Sequence, residues 1–151
     1  MRLAVISDIH GNLPALEAVL ADIEERGADA IVNLGDCVTG PLWPRETFEC
    51  LAALDLPTVR GNHDRWIVEK AEADLTPAGR FARDALTEAQ RAALHALPAT
   101  LEVTPDILAV HGTPTDDSAY LLEDPLDGRL APASRAVVAA RLSPAARPGG
   151  V

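Results

Sequence analysis

Little in this sequence would staple a fold covalently or hold a polyanion. The 151 residues include two cysteines, Cys37 and Cys50, at a spacing that fits no metal-ligand pattern, so both read as free thiols rather than as a disulfide. Basic side chains are outnumbered, 13 Lys and Arg against 23 Asp and Glu, for a formal charge of −10. A sequence-independent hold on a nucleic-acid backbone needs clustered Lys and Arg, and this balance argues against it. No apolar run approaches the roughly 20 residues of a membrane span, and Leu3 to Ile6 is too short for a signal-peptide core. The expectation is a cytoplasmic protein with no membrane partner. What remains is about half apolar, at 48%, which is the material of one globular domain with a real core.

The order of elements alternates. Leu3-Ala4-Val5-Ile6-Ser7 reads as a buried strand, and Leu13, Leu16, Leu20 and Ile23 then recur at helical spacing behind Asn12 as N-cap, with Pro14 in the first turn and Gly27 at the end. Ala30 to Leu34 repeats the strand, and Phe48, Leu51 and Leu54 mark a helix beginning near Pro44. Leu56 to Val59 gives a third short strand, so a mainly parallel sheet with covered faces is expected, with ligands at its strand C-terminal ends. Trp66 to Ala96 reads as a helical insertion, in which Thr87 to Gln90 has capping-box spacing. Thr100 to Val103 and Ile107 to Val110 suit two strands joined by a tight turn. Residues 112 to 130 read as loop and Ser134 to Leu142 as a short helix. The domain is set at residues 1–142, with 143–151 a Pro/Gly-rich tail not expected to pack.

Chemistry collects at the strand ends. Asp8 and His10 alternate on an extended segment and can ligate one metal ion from one side of the strand. Taken alone, that pair would be a cap or a turn. Asp36 occupies the equivalent point after the second strand, behind Gly35, whose bare backbone allows a tight turn. Asn62 offers a neutral amide oxygen where a carboxylate already serves two ions, and His111 after the last strand would bind the second ion. His63 beside Asp64 has the makings of a general acid for a departing alkoxide, the carboxylate fixing the tautomer and raising the proton affinity. The bland alternative is that Asp64 caps a helix beside an exposed His63. Arg60 could face phosphate, but an arginine at a strand end more often pairs with a surface acid. Trp43, between prolines, is either a cleft wall or a packed loop anchor. Asp116-Asp117 and Glu123-Asp124 read as solvated acidic turns.

Together, Asp8-Ile9-His10-Gly11-Asn12, Gly35-Asp36, Gly61-Asn62-His63-Asp64 and His111-Gly112-Thr113-Pro114 resemble four ordered motifs of the calcineurin-like metallophosphoesterase superfamily, most nearly its small bacterial phosphodiesterase-like branch. The resemblance runs from Met1 to about Leu142. It implies an α/β/β/α sandwich with a helical insertion, in which Asp36 bridges two metal ions, Asp8 and His10 hold the first, Asn62 and His111 hold the second, and His63 acts on the phosphate. The implied reaction is hydrolysis of a small phosphate ester, by a phosphodiesterase or phosphatase, through a hydroxide bridging two metals. The ligand types suit manganese, iron, zinc, cobalt or nickel, and the resemblance puts manganese first. A protein Ser/Thr phosphatase shares these motifs. The superfamily's Gly-His-x-His stretch is missing, and His95 sits at a helix end where it cannot replace it. Each ion would then have three protein ligands, counting Asp36 twice, and a looser hold. The chain therefore reads as a truncated member with an incomplete second sheet, whose apolar face self-association could cover. A metal- or nucleotide-binding remnant with impaired catalysis is the rival reading.

Overall fold

A computed structural model describes residues 1–143; residues 144–151, most of the expected tail, lie outside the described residues. Strand β1 (Leu3–Ile6) pairs in parallel with β2 (Ala30–Asn33), Leu3 opposite Ala30 and Ile6 opposite Asn33. Helix α1 (Leu13–Arg26) crosses between them. Its start and stop are those the sequence signals: Asn12 Oδ1 accepts from the Ala15 N–H, Pro14 lies in the first turn, and Gly27 ends it in the left-handed conformation. Helix α2 (Pro44–Leu54) follows β2.

The expected third strand shrinks to one bridge, Asn33 to Thr58. Asn33 donates to the Pro57 carbonyl and accepts from Val59. The next rung toward the N-terminus needs an N–H from Pro57, which has none. On the other side the Gly61 N–H is taken by Asp64 and the Gly35 N–H by Asn33.

The helical insertion is present as α3 (Asn62–Glu69), a 3₁₀ turn at Glu72–Asp74, α4 (Pro77–Ala85) and α5 (Glu88–His95). It begins at Asn62 rather than Trp66, so the third candidate stretch lies in the first turn of a helix. Thr87 and Gln90 form the reciprocal cap that their spacing predicts. The antiparallel hairpin β3 (Thr100–Thr104) and β4 (Ile107–Val110) matches expectation and delivers His111.

Beyond it the structure departs from the sequence reading. Residues 123–132 form a second hairpin, β5 (Glu123–Leu126) and β6 (Arg129–Pro132), rather than loop. Asp127 and Gly128, both at positive φ, supply the two-residue turn that matches strand twist. Helix α6 (Arg135–Leu142) closes the described chain behind Ser134, which caps it.

Two small cores flank the site. Cys37, Val38, Ile67, Leu86 and Leu94 pack with Phe48 and Leu51 on the helical side. Val32, Val59 and Ala109 pack with Leu3, Leu101 and Val103 between the parallel sheet and the β3–β4 hairpin. Burying one such large aliphatic side chain is worth about 1.5–3 kcal/mol. Among the described residues the strands form three two-stranded sheets, β1–β2, β3–β4 and β5–β6. Val5 stays 54% exposed and Leu108 45%.

Candidate metal centre

The loop after β1 and the loop after β2 are zipped together by backbone bonds, Asp8 N–H to Gly35, His10 N–H to Asp36 and Gly11 N–H to Cys37. Asp8 and His10 do not converge by alternation along a strand. Both have left that geometry, at φ of 55° and 50°, and Asp36 sits at 56°. Non-glycine residues avoid this region, at a cost of about 1–3 kcal/mol each, and it recurs where surrounding structure holds functional groups in place. Here all three are candidate ligands. Their donor atoms lie within 4.8 Å of one another.

Asp36 is the hub. Its Oδ2 lies 3.7 Å from His10 Nε2 and 3.6 Å from His111 Nε2, while Oδ1 accepts the His63 backbone N–H at 2.9 Å. The imidazoles are pinned from behind. His10 Nδ1 is 2.8 Å from the Thr39 carbonyl and His111 Nδ1 is 2.7 Å from the Leu34 carbonyl. A carbonyl only accepts, so each Nδ1 donates to it, which leaves each Nε2 as the ring atom turned toward Asp36 and able to ligate. Asn62 Oδ1, another acceptor, stands 2.9 Å from His111 Nε2. These atoms converge on a space that a proton or a cation can fill, and mixed carboxylate, imidazole and amide donors suit a divalent transition metal. The residues present fit such an ion.

Two glycines make the approach of the loops possible. A Cβ on Gly35 would lie 2.4 Å from the Gly61 nitrogen, and one on Gly61 would lie 2.1 Å from Asp36 Oδ1.

Asp64 does something other than orient His63. It is fully buried, and its oxygens accept backbone N–H groups from Asp36 at 2.8 Å, Cys37 at 2.9 Å and Gly61 at 3.0 Å. With those lone pairs committed, it makes no hydrogen bond to the His63 ring. The capping alternative describes it better, extended to clamp the Asp36 loop. Burial, then the charge of Asp36, push its carboxyl up to about 6 against the three donors. Burial likewise raises the Asp36 carboxyl, opposed first by His111. His63 is shifted downward, mainly by burial and then by His10, which outweigh Asp64; the expected rise in proton affinity is reversed.

A profile of the calcineurin-like phosphoesterase family matches residues 1–141. The chain belongs to that family. An uncharacterised protein of Methanocaldococcus jannaschii is 47% identical over 72 residues, 48% of this chain and 30% of its own length. The crystal structure of a metallophosphoesterase from Sphaerobacter thermophilus superposes with a TM-score of 0.68 at 35% identity, covering 82% of this chain and 52% of that one. A hypothetical protein of Pyrococcus horikoshii shares the fold, with a TM-score of 0.72 at 23% identity over 95% of this chain and 64% of its own. This member of the calcineurin-like phosphoesterase family thus spans less than two thirds of the length of these relatives.

In this calcineurin-like chain the candidate ligands open into a cleft of about 800 Å³. Two aromatic residues that the sequence reading did not select line it, Trp66 and Tyr120. Trp66 stacks at a tilt on His63, 4.7 Å between centroids, and carries Lys70 Nζ 3.6 Å from its own ring centre. Trp66 is four residues on from Asn62 in α3, a spacing that could have marked it as sharing that helix face. Trp43 does not line this cleft and is 43% exposed. His95 ends α5 with Nε2 3.1 Å from Glu69, away from the ligands. No helix among the described residues is long and apolar enough to cross a membrane.

The acidic turns are not simply solvated. Asp124 pairs with Arg141, and Asp117 takes a two-point bond from Arg65, Nε at 2.7 Å and Nη2 at 2.6 Å. Arg65 holds the Asp117 carboxyl below its ordinary value. A depressed folded-state pKa gives stability that is complete above the ordinary carboxylate range and lost as pH falls through the folded value. Asp117→Asn is therefore expected to cost about 1–2 kcal/mol at pH 7, a difference that vanishes at low pH. Thermal melts of parent and variant at pH 7 and pH 3 check this; an equal gap at both would contradict it.

Proposed function

We propose that this chain hydrolyses phosphate esters at a centre of two divalent ions that share Asp36. Asp8 and His10 complete one side, and Asn62 and His111 the other. The observation that carries the reading is the position of Asp36 Oδ2, about equally far from two imidazole nitrogens whose rear nitrogens are fixed to backbone carbonyls. Bound there, the ions would supply Lewis acidity, acidifying the attacking water and neutralising phosphate oxygens. Manganese is the first choice of ion, and the three protein ligands on each side leave room for water and substrate.

The chain's own residues do the rest. Asp64 holds the Asp36 loop to the start of α3, which fixes Asp36 and Asn62 relative to one another. His63, on the cleft wall against Trp66, presents its ring N–H to the departing ester oxygen. A phosphodiester or phosphomonoester fits a cleft of this size, in a cytoplasmic setting. A second copy covering the exposed face around Val5 and Leu108 belongs to the same reading, and a mass that stays monomeric across a hundredfold range of concentration would remove it.

Because His63 touches substrate rather than metal, His63→Ala is expected to lower kcat by about 10²–10⁴-fold while manganese affinity stays within a few fold. Turnover of a chromogenic diester and monoester, alongside manganese titration, measures both. Equal loss of metal and activity would show His63 to be structural, and unchanged kcat would remove it from the reaction.

A further inference from the structure

The imidazoles around the centre are held in two different ways. His10 and His111 are each fixed by a short bond from Nδ1 to a backbone carbonyl. His63 is fixed at its backbone, where its N–H meets Asp36 Oδ1 at 2.9 Å and its carbonyl accepts the Thr39 hydroxyl at 3.4 Å. Among the described residues no hydrogen bond reaches its ring. Asp64, the neighbour that could have supplied one, is committed to three backbone N–H groups. A side chain that passes a proton to substrate is ordinarily aimed by a third group, and here that group is neither a carboxylate nor a carbonyl.

What touches the ring is aromatic. His63, Trp66 and Lys70 follow one another at intervals of three and four along α3 and its C-cap, a spacing that stacks side chains on one helix face. The Trp66 indole lies against the imidazole, tilted by 51° with 4.7 Å between centroids, and the His10 ring meets it edge-on at 5.1 Å. Lys70 Nζ stands 3.6 Å from the centre of the Trp66 ring. An ammonium is attracted to an indole by the ring's quadrupole, and it holds the indole as much as it is held. An imidazole with no bond to its nitrogens hops between staggered χ1 wells unless packing keeps it in one.

We infer that Trp66 is the positioning residue for His63, holding the imidazole by its face in the rotamer that reaches the departing ester oxygen, and that Lys70 clamps Trp66 in turn. This rests on the proposed hydrolysis for the reaction, though not for the restraint on the ring. Trp66 takes no proton itself and acts through His63. Holding the ring by its face leaves both nitrogens to substrate and water, as a donor that gives up a proton and must regain it requires.

The experiment has two arms. In the first, three-bond NMR couplings from His63 Cγ to its own amide nitrogen and carbonyl carbon are measured on the metal-free full chain, because they separate one χ1 rotamer from an average of several. The parent and Trp66→Phe are expected to show one rotamer, Trp66→Leu an average, and Lys70→Gln values between. An averaged ring in the parent, or a single rotamer in folded Trp66→Leu, overturns the restraint. If Trp66→Leu melts early, Lys70→Gln is read in its place, and couplings equal to the parent's overturn the stack. In the second arm, with manganese, a chromogenic phosphodiester is turned over by His63→Ala, Trp66→Leu and the double variant. Trp66→Leu is expected to lower kcat about 10–100-fold with KM within about threefold, and to cost nothing further once His63 is gone. Trp66→Phe should recover most of the loss. An unmoved kcat, or equal losses with and without His63, overturns the positioning role. A fixed ring in a parent that turns nothing over overturns the hydrolytic reading, and the catalytic meaning of the restraint with it.

Discussion

Asp36→Asn is expected to abolish manganese-dependent turnover, by about a thousandfold or more, without unfolding the protein. The two halves of that result come from one geometry. Oδ1 accepts the His63 N–H, a bond that an amide oxygen can keep. Oδ2 faces the Nε2 atoms of His10 and His111, and an amide NH₂ in its place would offer a divalent ion no lone pair. Burial already disfavours the Asp36 charge. The metal-free variant should therefore melt at or above the parent. Manganese, which stabilises only a folded state that binds it, should raise the parent's Tm and leave the variant's unmoved. A variant that melts much lower without metal would show the carboxylate to be architectural. One that keeps both its manganese shift and its activity would remove Asp36 from the centre.

Asp64→Ala acts on the same loop through stability. Three backbone N–H groups lose their acceptor in a fully buried place. Each such orphan costs about 1–3 kcal/mol, and with partial relaxation the sum is about 3–5 kcal/mol. That is a large part of the roughly 5–15 kcal/mol of a small domain, and Tm should fall by more than about 10 °C. Asp64→Asn sheds a charge whose burial pushes the carboxyl up to about 6 and keeps an oxygen for the Asp36 and Gly61 N–H groups, but it turns its NH₂ on the Cys37 N–H, so it should recover part of the loss. A contrast between the two variants in melting, with His63 untouched, separates the clamp from any role in poising the imidazole. Equal, small effects of both would refute the clamp.

What the sequence discloses is local. The caps at Asn12, Gly27 and Thr87 depend on near neighbours and are found where periodicity and turn chemistry put them, whereas Asp8, His10 and Asp36 come together by a route other than the expected alternation along a strand. What it conceals is carried by contacts far apart along the chain. Asp64 meets Asp36 across 28 residues and Arg65 meets Asp117 across 52, and neither partner is marked by spacing. The left-handed backbone at Asp8, His10 and Asp36 is also hidden, because only the packing of one loop on the other imposes it. The β5–β6 hairpin was legible. Asp127-Gly128 is a strong hairpin signal, and the polar residues around it drew the reading toward loop. The third strand failed through Pro57, whose missing N–H was in plain view.

The central claim is that Asp8, His10, Asp36, Asn62 and His111 of this chain assemble a working hydrolytic centre. The direct measurement is the rate of bis(p-nitrophenyl) phosphate hydrolysis by the purified chain as manganese is titrated, with Asp36→Asn alongside. The account predicts turnover that rises with manganese to saturation in the parent and stays at background in the variant. A folded parent that binds manganese to saturation and releases no nitrophenol, from this diester or from the matching monoester, would contradict it.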